Sequence, residues 1–290
     1  MSSFLLQLNR IRLAIAKRTG LSQKSGRTYA AWLAKGHIQH PLITFIVESH
    51  NKSLEVCHFL RSLRQTPDAE IIVIVDGSSL SHTRRLAREL TGANEYLFRA
   101  NDLYENITYD RCLHMATGQY VCLLQDDDDM PDATWVKRAV MLFQEHPRMV
   151  ILGGYQGRDI TFCLKDGEKA YEAVNSMQGD FSFCMSVNRA PMWVRRDLFL
   201  EHLRHIDYRF APFQSDDYEL CLRAWSCGLQ VGWYDARFTS LSAGGMRLYN
   251  NAFTREMTRR NAPLLYDLYH DRTDSIRRKV AEANEKLSAS

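Results

Sequence analysis

Apolar and polar positions divide the chain into short buried strands alternating with amphipathic helices. Leu42 to Val47 is a short apolar run rich in branched side chains, as expected of a strand buried on both faces, and it ends in Glu48-Ser49-His50-Asn51. Ser53 is placed to cap a helix whose periodicity runs from Leu54 to Leu63. Glu70 to Val75 is a second strand, ending at Asp76-Gly77-Ser78-Ser79. The pattern then predicts a helix over 83–90 stopped by Gly92, a short strand over 96–98, a helix over 106–116 and a strand from Tyr120 to Leu124. Pro131 can open the next helix, which His146-Pro147 stops. Met149 to Leu152 predicts a further strand, whereas residues 155–180 are mixed and polar and receive no assignment. Phe181 to Val187 and Met192 to Val194 read as edge strands, and Arg195 to His205 as a helix. Tyr218 to Cys227 is a strong helix closed by Gly228, and Val231 to Tyr234 a strand. A glycine-containing segment over 240–250 leads to two charged, partly amphipathic helices over 251–271 and 274–287.

This alternation predicts an α/β fold, with a mostly parallel central sheet flanked by helices and helical extensions at both termini. In such sheets ligands bind beyond the carboxyl ends of the strands. Asp76 and the run Asp126 to Asp129 all fall at that edge. The run lies in GQYVCLLQDDDDMP (118–131), where a buried strand drives into four consecutive carboxylates. Each charge disfavours ionisation of its neighbours. A hard divalent cation, Mg²⁺ or Mn²⁺, offsets that cost with oxygen ligands. The alternative is a solvated acidic turn.

Near the N-terminus, Phe4, Leu8, Ile11 and Ile15 fall at helical spacing, and Arg10, Lys17 and Arg18 lie off that stripe. Residues 1–36 hold seven Lys or Arg and no Asp or Glu. A basic amphipathic helix of this kind either lies on an anionic membrane surface or packs on protein. Residues 19–28 read as a linker and 29–33 as a short helix. The division is therefore 1–40 (helix and linker), 41–250 (α/β domain) and 251–290 (helical tail).

The 290 residues are 45% hydrophobic, ample for a core, and the net charge of only +3 speaks against a nucleic-acid partner. Seven irregularly spaced cysteines with no CxxC support neither a disulfide framework nor a zinc site, which fits a reducing cytoplasm. No apolar run approaches the ~20 residues that span a bilayer. A cytoplasmic protein, peripheral on the membrane face if its first helix binds lipid, is the expectation.

Four segments, in order, carry a resemblance. Phe45-Ile46-Val47-Glu48-Ser49-His50-Asn51, Ile74-Val75-Asp76-Gly77-Ser78, the strand from Gly118 to Asp128, and Asp216-Asp217-Tyr218-Glu219-Leu220 resemble the successive motifs of a family 2 glycosyltransferase of the GT-A fold. The similarity runs from Pro41 to Asp235. Glu48 stands where the family has proline, Val75 where it has a first aspartate, and Gln125 departs from the pattern before the acidic run.

The resemblance implies a metal-dependent, inverting transfer of one sugar from a nucleotide-diphosphate sugar to a hydroxyl of a glycan or glycolipid acceptor. Two of Asp126 to Asp129 then form the metal-binding Asp-x-Asp. Counting from Gly118 makes Asp127 the direct ligand, whereas treating Gln125 as an extra residue makes the pair Asp126 and Asp128. Asp76 matches the aspartate that meets a uracil-type ring, implying a UDP- or dTDP-type donor. Ser49, Asn51, Arg99 and Asp126 are further candidates for the nucleotide pocket, and Arg247 for the diphosphate. Asp217 matches the general base, with Asp216 and Glu219 beside it. Arg189, Met192 and Trp193 fall at the acceptor platform, where Trp193 is a candidate to stack on a sugar. The later metal-binding histidine of many members has no counterpart between His205 and His270.

Three competing readings remain. Asp128 to Asp132 also spells DDxxD of prenyl-diphosphate chemistry, which needs a helix where Pro131 opposes one. Nucleotidyl transfer would need a glycine-rich loop after the first strand, and none occurs. A catalytically inactive GT-A-like binding protein is the remaining alternative.

Overall fold

The computed structural model describes residues 2–18, 36–38, 40–130, 132–189, 191–242 and 251–289. The expected linker, the helix over 29–33, Pro131, Arg247 and most of the 240–250 segment lie outside them. The chain forms two compact units, residues 1–38 and 39–290. In the first, helix α1 (Ser2–Arg18) leaves Phe4, Leu8, Ile11, Leu13 and Ile15 exposed.

The second unit is built on β1 (Ile43–Ser49), β2 (Glu70–Asp76), β3 (Glu95–Ala100), β4 (Tyr120–Gln125), β6 (Met149–Gly153), β9 (Phe181–Phe183), β11 (Met192–Arg195) and β12 (Gln230–Tyr234). Among the described residues these make one eight-stranded sheet in the order β3-β2-β1-β4-β11-β6-β12-β9. β1 runs parallel to β2 and β4, β2 to β3, and β6 to β12. β11 and β9 are antiparallel to their neighbours. Every residue of β2 and β6 is buried, which explains why these strands read as unbroken apolar runs rather than alternating ones. Helices α2 (Ser53–Leu63), α3 (Leu80–Glu89), α4 (Tyr104–Met115) and α5 (Thr134–Glu145) connect the strands.

The structure corrects several expectations. Met192 to Val194 is not an edge: β11 is wedged between β4 and β6, and Trp193 packs in the core. Residues 155–180 hold a hairpin, β7 (Gly157–Lys165) and β8 (Glu168–Asn175), which joins β10 (Ser186–Val187) in a three-stranded sheet. Its turn, Asp166-Gly167, has φ of 53° and 82°, the left-handed pair of a type I′ hairpin. Phe181 to Val187 thus divides between two sheets. The helix expected over 195–205 is a three-residue turn, α6 (Arg196–Leu198), followed by a π-turn over Phe199–Leu203. Lys52, not Ser53, is the N-cap of α2, and Ser53 instead bonds His82 and Arg85 through its hydroxyl.

α7 (Asp216–Ser226) precedes β12, and the chain ends in α8 (Asn251–Tyr269) and α9 (Thr273–Ser288). These last helices pack into the same unit, burying Leu265, Tyr269 and Ile276. The Asn284 amide accepts from the Phe183 N–H (2.8 Å) and donates to its carbonyl (2.9 Å), so a side chain finishes the exposed edge of β9. A small ladder, β5 (Asp128–Asp129) with β13 (Thr239–Ser240), joins the acidic run to the C-terminal half.

Candidate active site

Parallel register aligns the ends of three strands: Ser49 lies opposite Val75, and Glu48 opposite Gln125. The acidic run and Asp76 therefore share one sheet edge, as expected. After Gln125 the chain turns, and Asp126 Oδ2 accepts the His50 N–H at 2.8 Å. Lys52 Nζ lies 3.4 Å from Asp126 Oδ1 and 2.9 Å from Asp127 Oδ2, three side chains each under one-fifth exposed. Ser240 Oγ, from β13, donates to Asp127 Oδ2 at 3.1 Å. Burial, reinforced by Asp127 and opposed by Lys52, pushes the Asp126 carboxyl up to about 6. Burial works against the Lys52 ammonium, but the two carboxylates outweigh it and raise its pKa.

Asp128 does not join this pair. It is fully buried, and its Oδ2 accepts the Gln125 N–H at 2.9 Å while Oδ1 has no hydrogen-bond partner. Burial holds its carboxyl well above the ordinary range. Its carboxylate thus faces the interior, whereas those of Asp126 and Asp127 meet at Lys52. Among the described residues no three His, Cys, Asp or Glu converge as a metal cluster.

On the nucleotide side, Asp76 is buried and accepts backbone N–H groups on both oxygens, from Leu103 (3.1 Å) and Tyr104 (2.7 Å). Its carbonyl sits 2.8 Å from His50 Nδ1, so that nitrogen carries the ring proton. Asn51, at φ 60°, accepts the Ser79 N–H at 2.8 Å and donates its own to Ser78 Oγ at 3.0 Å, tying the end of β1 to the turn after β2. Gly77 in that turn has φ +59°, and a Cβ there would meet Asp102 Oδ1 at 2.1 Å, so a side chain would strain the turn and displace Asp102. Ser49 is buried, its hydroxyl unpaired, and lines no open surface. Arg99 is exposed on the edge strand β3, opposite Val75.

The second acidic group stands at the start of α7, where the helix dipole favours anions. Asp217 accepts the Tyr218 N–H at 2.9 Å and the Arg189 N–H at 3.4 Å. Burial first, and Asp216 second, push its carboxyl up to about 6. Asp216 is buried in an ion pair with Arg189 (2.6 Å) and also accepts from Asn106 (3.2 Å). Arg189 in turn lies over the Tyr109 ring at 4.9 Å. Neither Asp216 nor Arg189 therefore offers a surface to an acceptor, and Glu219 is tied to Arg223 and Tyr269. Trp193 is fully buried, contacts Trp135 and Phe45, and donates to the Tyr234 hydroxyl at 3.1 Å; it cannot stack on a sugar. Met192 is equally buried.

Two groups escape a reading by sequence. One is Lys52, a lone lysine whose only signal is its position just beyond β1. The other is Glu48, whose carboxyl burial and Glu105 raise well above the ordinary range. The Thr108 hydroxyl bonds Glu48 Oε2 and lies 2.9 Å from the Tyr104 carbonyl. With one hydrogen for two acceptors, Thr108 is satisfied when Glu48 carries a proton of its own.

Residues 44–182 match the family described as Glycosyl transferase family 2. The chain carries a family 2 glycosyltransferase domain. The chain is similar in fold to GalNAc-T7, solved with UDP, GalNAc and Mn²⁺ (TM-score 0.56, 13% identity, 68% of this chain and 43% of that one). It thus spans less than half of that neighbour. A mannosyltransferase, PcManGT from Pyrobaculum calidifontis in complex with GDP-Man and Mn²⁺, aligns with TM-score 0.53 at 14% identity over 87% of this chain and 76% of that one. TarS 1-349 of S. aureus aligns with TM-score 0.50 at 15% identity, over 81% and 68%. At such identities the likeness is one of fold, the GT-A architecture of a mostly parallel sheet between helices. No curated protein gives a significant match.

Proposed function

We propose that the glycosyltransferase moves one sugar from a nucleotide-diphosphate sugar to a hydroxyl of a glycan or glycolipid acceptor, with inversion at the anomeric carbon. The observation that carries this reading is the Asp126–Asp127 pair converging on one cation at the sheet edge that also holds Asp76. The acceptor oxygen attacks the anomeric carbon and its proton passes to Asp217. The bond to the donor diphosphate breaks with its electron pair on the leaving group. A base near pKa 6 is ionised at neutral pH yet basic enough to take that proton as it becomes acidic.

Asp126 and Asp127 fit a divalent ion, Mn²⁺ or Mg²⁺: both are oxygen donors and already share a cation. When bound, such an ion would neutralise charge developing on the diphosphate. Two neighbours solved with Mn²⁺, one with UDP and one with GDP-Man, support this assignment without deciding the base. Asp76 supports a UDP- or dTDP-type donor, since each carboxylate oxygen keeps a lone pair after accepting one backbone N–H. Polysaccharide or glycolipid synthesis at the cytoplasmic membrane face is the setting that the basic α1 favours, and no helix among the described residues is long and apolar enough to cross a membrane.

The test is thermal unfolding with UDP-, dTDP- and GDP-sugars, each with and without Mn²⁺. A pyrimidine donor with Mn²⁺ should stabilise most, by about 2.7 kcal/mol at a hundredfold excess over Kd. If no nucleotide sugar raises the transition, donor binding is refuted.

A further inference from the structure

Lys52 occupies the point on which the acidic pair converges. Its Nζ bridges Asp126 Oδ1 and Asp127 Oδ2, at 3.4 and 2.9 Å. The remaining contacts hold this arrangement from the outside: Asp126 Oδ2 is taken by the His50 N–H, and Ser240 Oγ adds a second donor to Asp127 Oδ2. Asp128, the next carboxylate, faces inward and offers no replacement. Two carboxylates and one ammonium leave a single net negative charge. One oxygen of each aspartate is thus engaged by Lys52, and a third by the His50 N–H.

A divalent ion held by this pair would therefore compete with the ammonium for it. The ammonium can leave, because it stands at the end of a flexible four-carbon stem. Lys52 is also the N-cap of α2, at the strand-end edge where the donor diphosphate is assigned. A displaced ammonium needs another anion, and the diphosphate is the one that arrives at this edge. Resting on the donor reading above, we propose that Lys52 is an internal competitor for the metal position, which yields the Asp126–Asp127 pair only when a nucleotide diphosphate is present to receive its charge. Metal and donor then load together, and by linkage each tightens the other.

The experiment measures Mn²⁺ binding to the full chain by the electron paramagnetic resonance signal of free Mn²⁺, first without nucleotide. Wild type is compared with Lys52→Met, Lys52→Gln and Lys52→Arg, each shown by its melting transition to be folded. Removing the ammonium should tighten nucleotide-free Mn²⁺ binding about tenfold or more, because the pair regains its second negative charge. Lys52→Arg keeps a cation and should bind as wild type does. Adding UDP or GDP should then tighten Mn²⁺ on wild type and do so less on Lys52→Met and Lys52→Gln. Equal or weaker nucleotide-free Mn²⁺ binding by both neutral variants overturns the proposal, as does the absence of Mn²⁺ binding in every variant. If no nucleotide binds any variant, the donor reading fails instead, and with it the proposed hand-over. The nucleotide-free comparison still reports whether Lys52 competes.

Discussion

To serve as the proposed base Asp217 has to be ionised, and burial with Asp216 at its side raises its carboxyl to about 6. The sign follows directly: below pH 6 the folded protein holds the proton, so transfer should fall on acidification through about pH 6 and level off above it. Asp126 titrates in the same range, and the fall should be steeper than a single ionisation where both carboxylates are required. Asp217→Asn should lower kcat by about 10²–10⁴-fold while nucleotide-induced stabilisation persists. Loss of both together would make Asp217 a structural residue. At this scale the acidic positions were legible, because carboxylates at a strand end or a helix start are conspicuous. Glu48 and Lys52 were not, and Arg189 was expected at the acceptor platform rather than in a buried ion pair. Their meaning depends on what faces them: Thr108 from α4, the aspartates 74 and 75 positions away, and Asp216 from α7. Trp193 shows the converse, since a tryptophan's sequence does not say whether its strand is an edge or a centre.

The loop that presents Asp217 is held by an element far along the chain. Gln214 and Ser215 both have left-handed φ, 78° and 65°, a conformation that non-glycine residues keep only under constraint. The constraint is Asn261 of α8, fully buried, whose amide nitrogen lies 3.1 Å from the Phe210 carbonyl and 2.9 Å from those of Phe213 and Gln214. Arg260 adds bonds to the carbonyls of Arg209 and Ala211. Asn261→Ala strands these carbonyls and should cost about 2–3 kcal/mol in denaturant unfolding. It should also lower kcat more than it raises KM for the donor, because Asp217 loses its placement. An unchanged unfolding midpoint would refute the clamp. The helices themselves were legible from their periodicity. The clamp was not, since it uses backbone carbonyls about 50 residues earlier. The β7–β8 hairpin was missed for another reason. Its strands lie largely outside the core, so they carry no period-two apolar pattern, and only Asp166-Gly167 announced the turn.

For the whole molecule, the α/β class was legible because strands buried on both faces must be apolar throughout. The membrane question rests with α1, whose exposed Phe4, Leu8, Ile11, Leu13 and Ile15 are interspersed with basic residues and no acidic ones. Co-sedimentation with phosphatidylglycerol vesicles should show binding that weakens as salt is raised, through screening of these charges. Deleting residues 2–18 should remove it. Vesicle binding that survives the deletion would assign α1 to a protein contact.

The position of β11 also bears on how the protein is made. β4 and β6 are complete once residue 153 has been synthesised, yet the strand that pairs with both is residues 192–195. At about 5–20 residues per second, a ribosome needs about 2–8 s to add the stretch between. For that interval the nascent chain holds two apolar strands with their inner edges open, the kind of surface that recruits chaperones or other copies of itself. Slower delivery of the second half should lengthen the interval in which those edges stay uncovered.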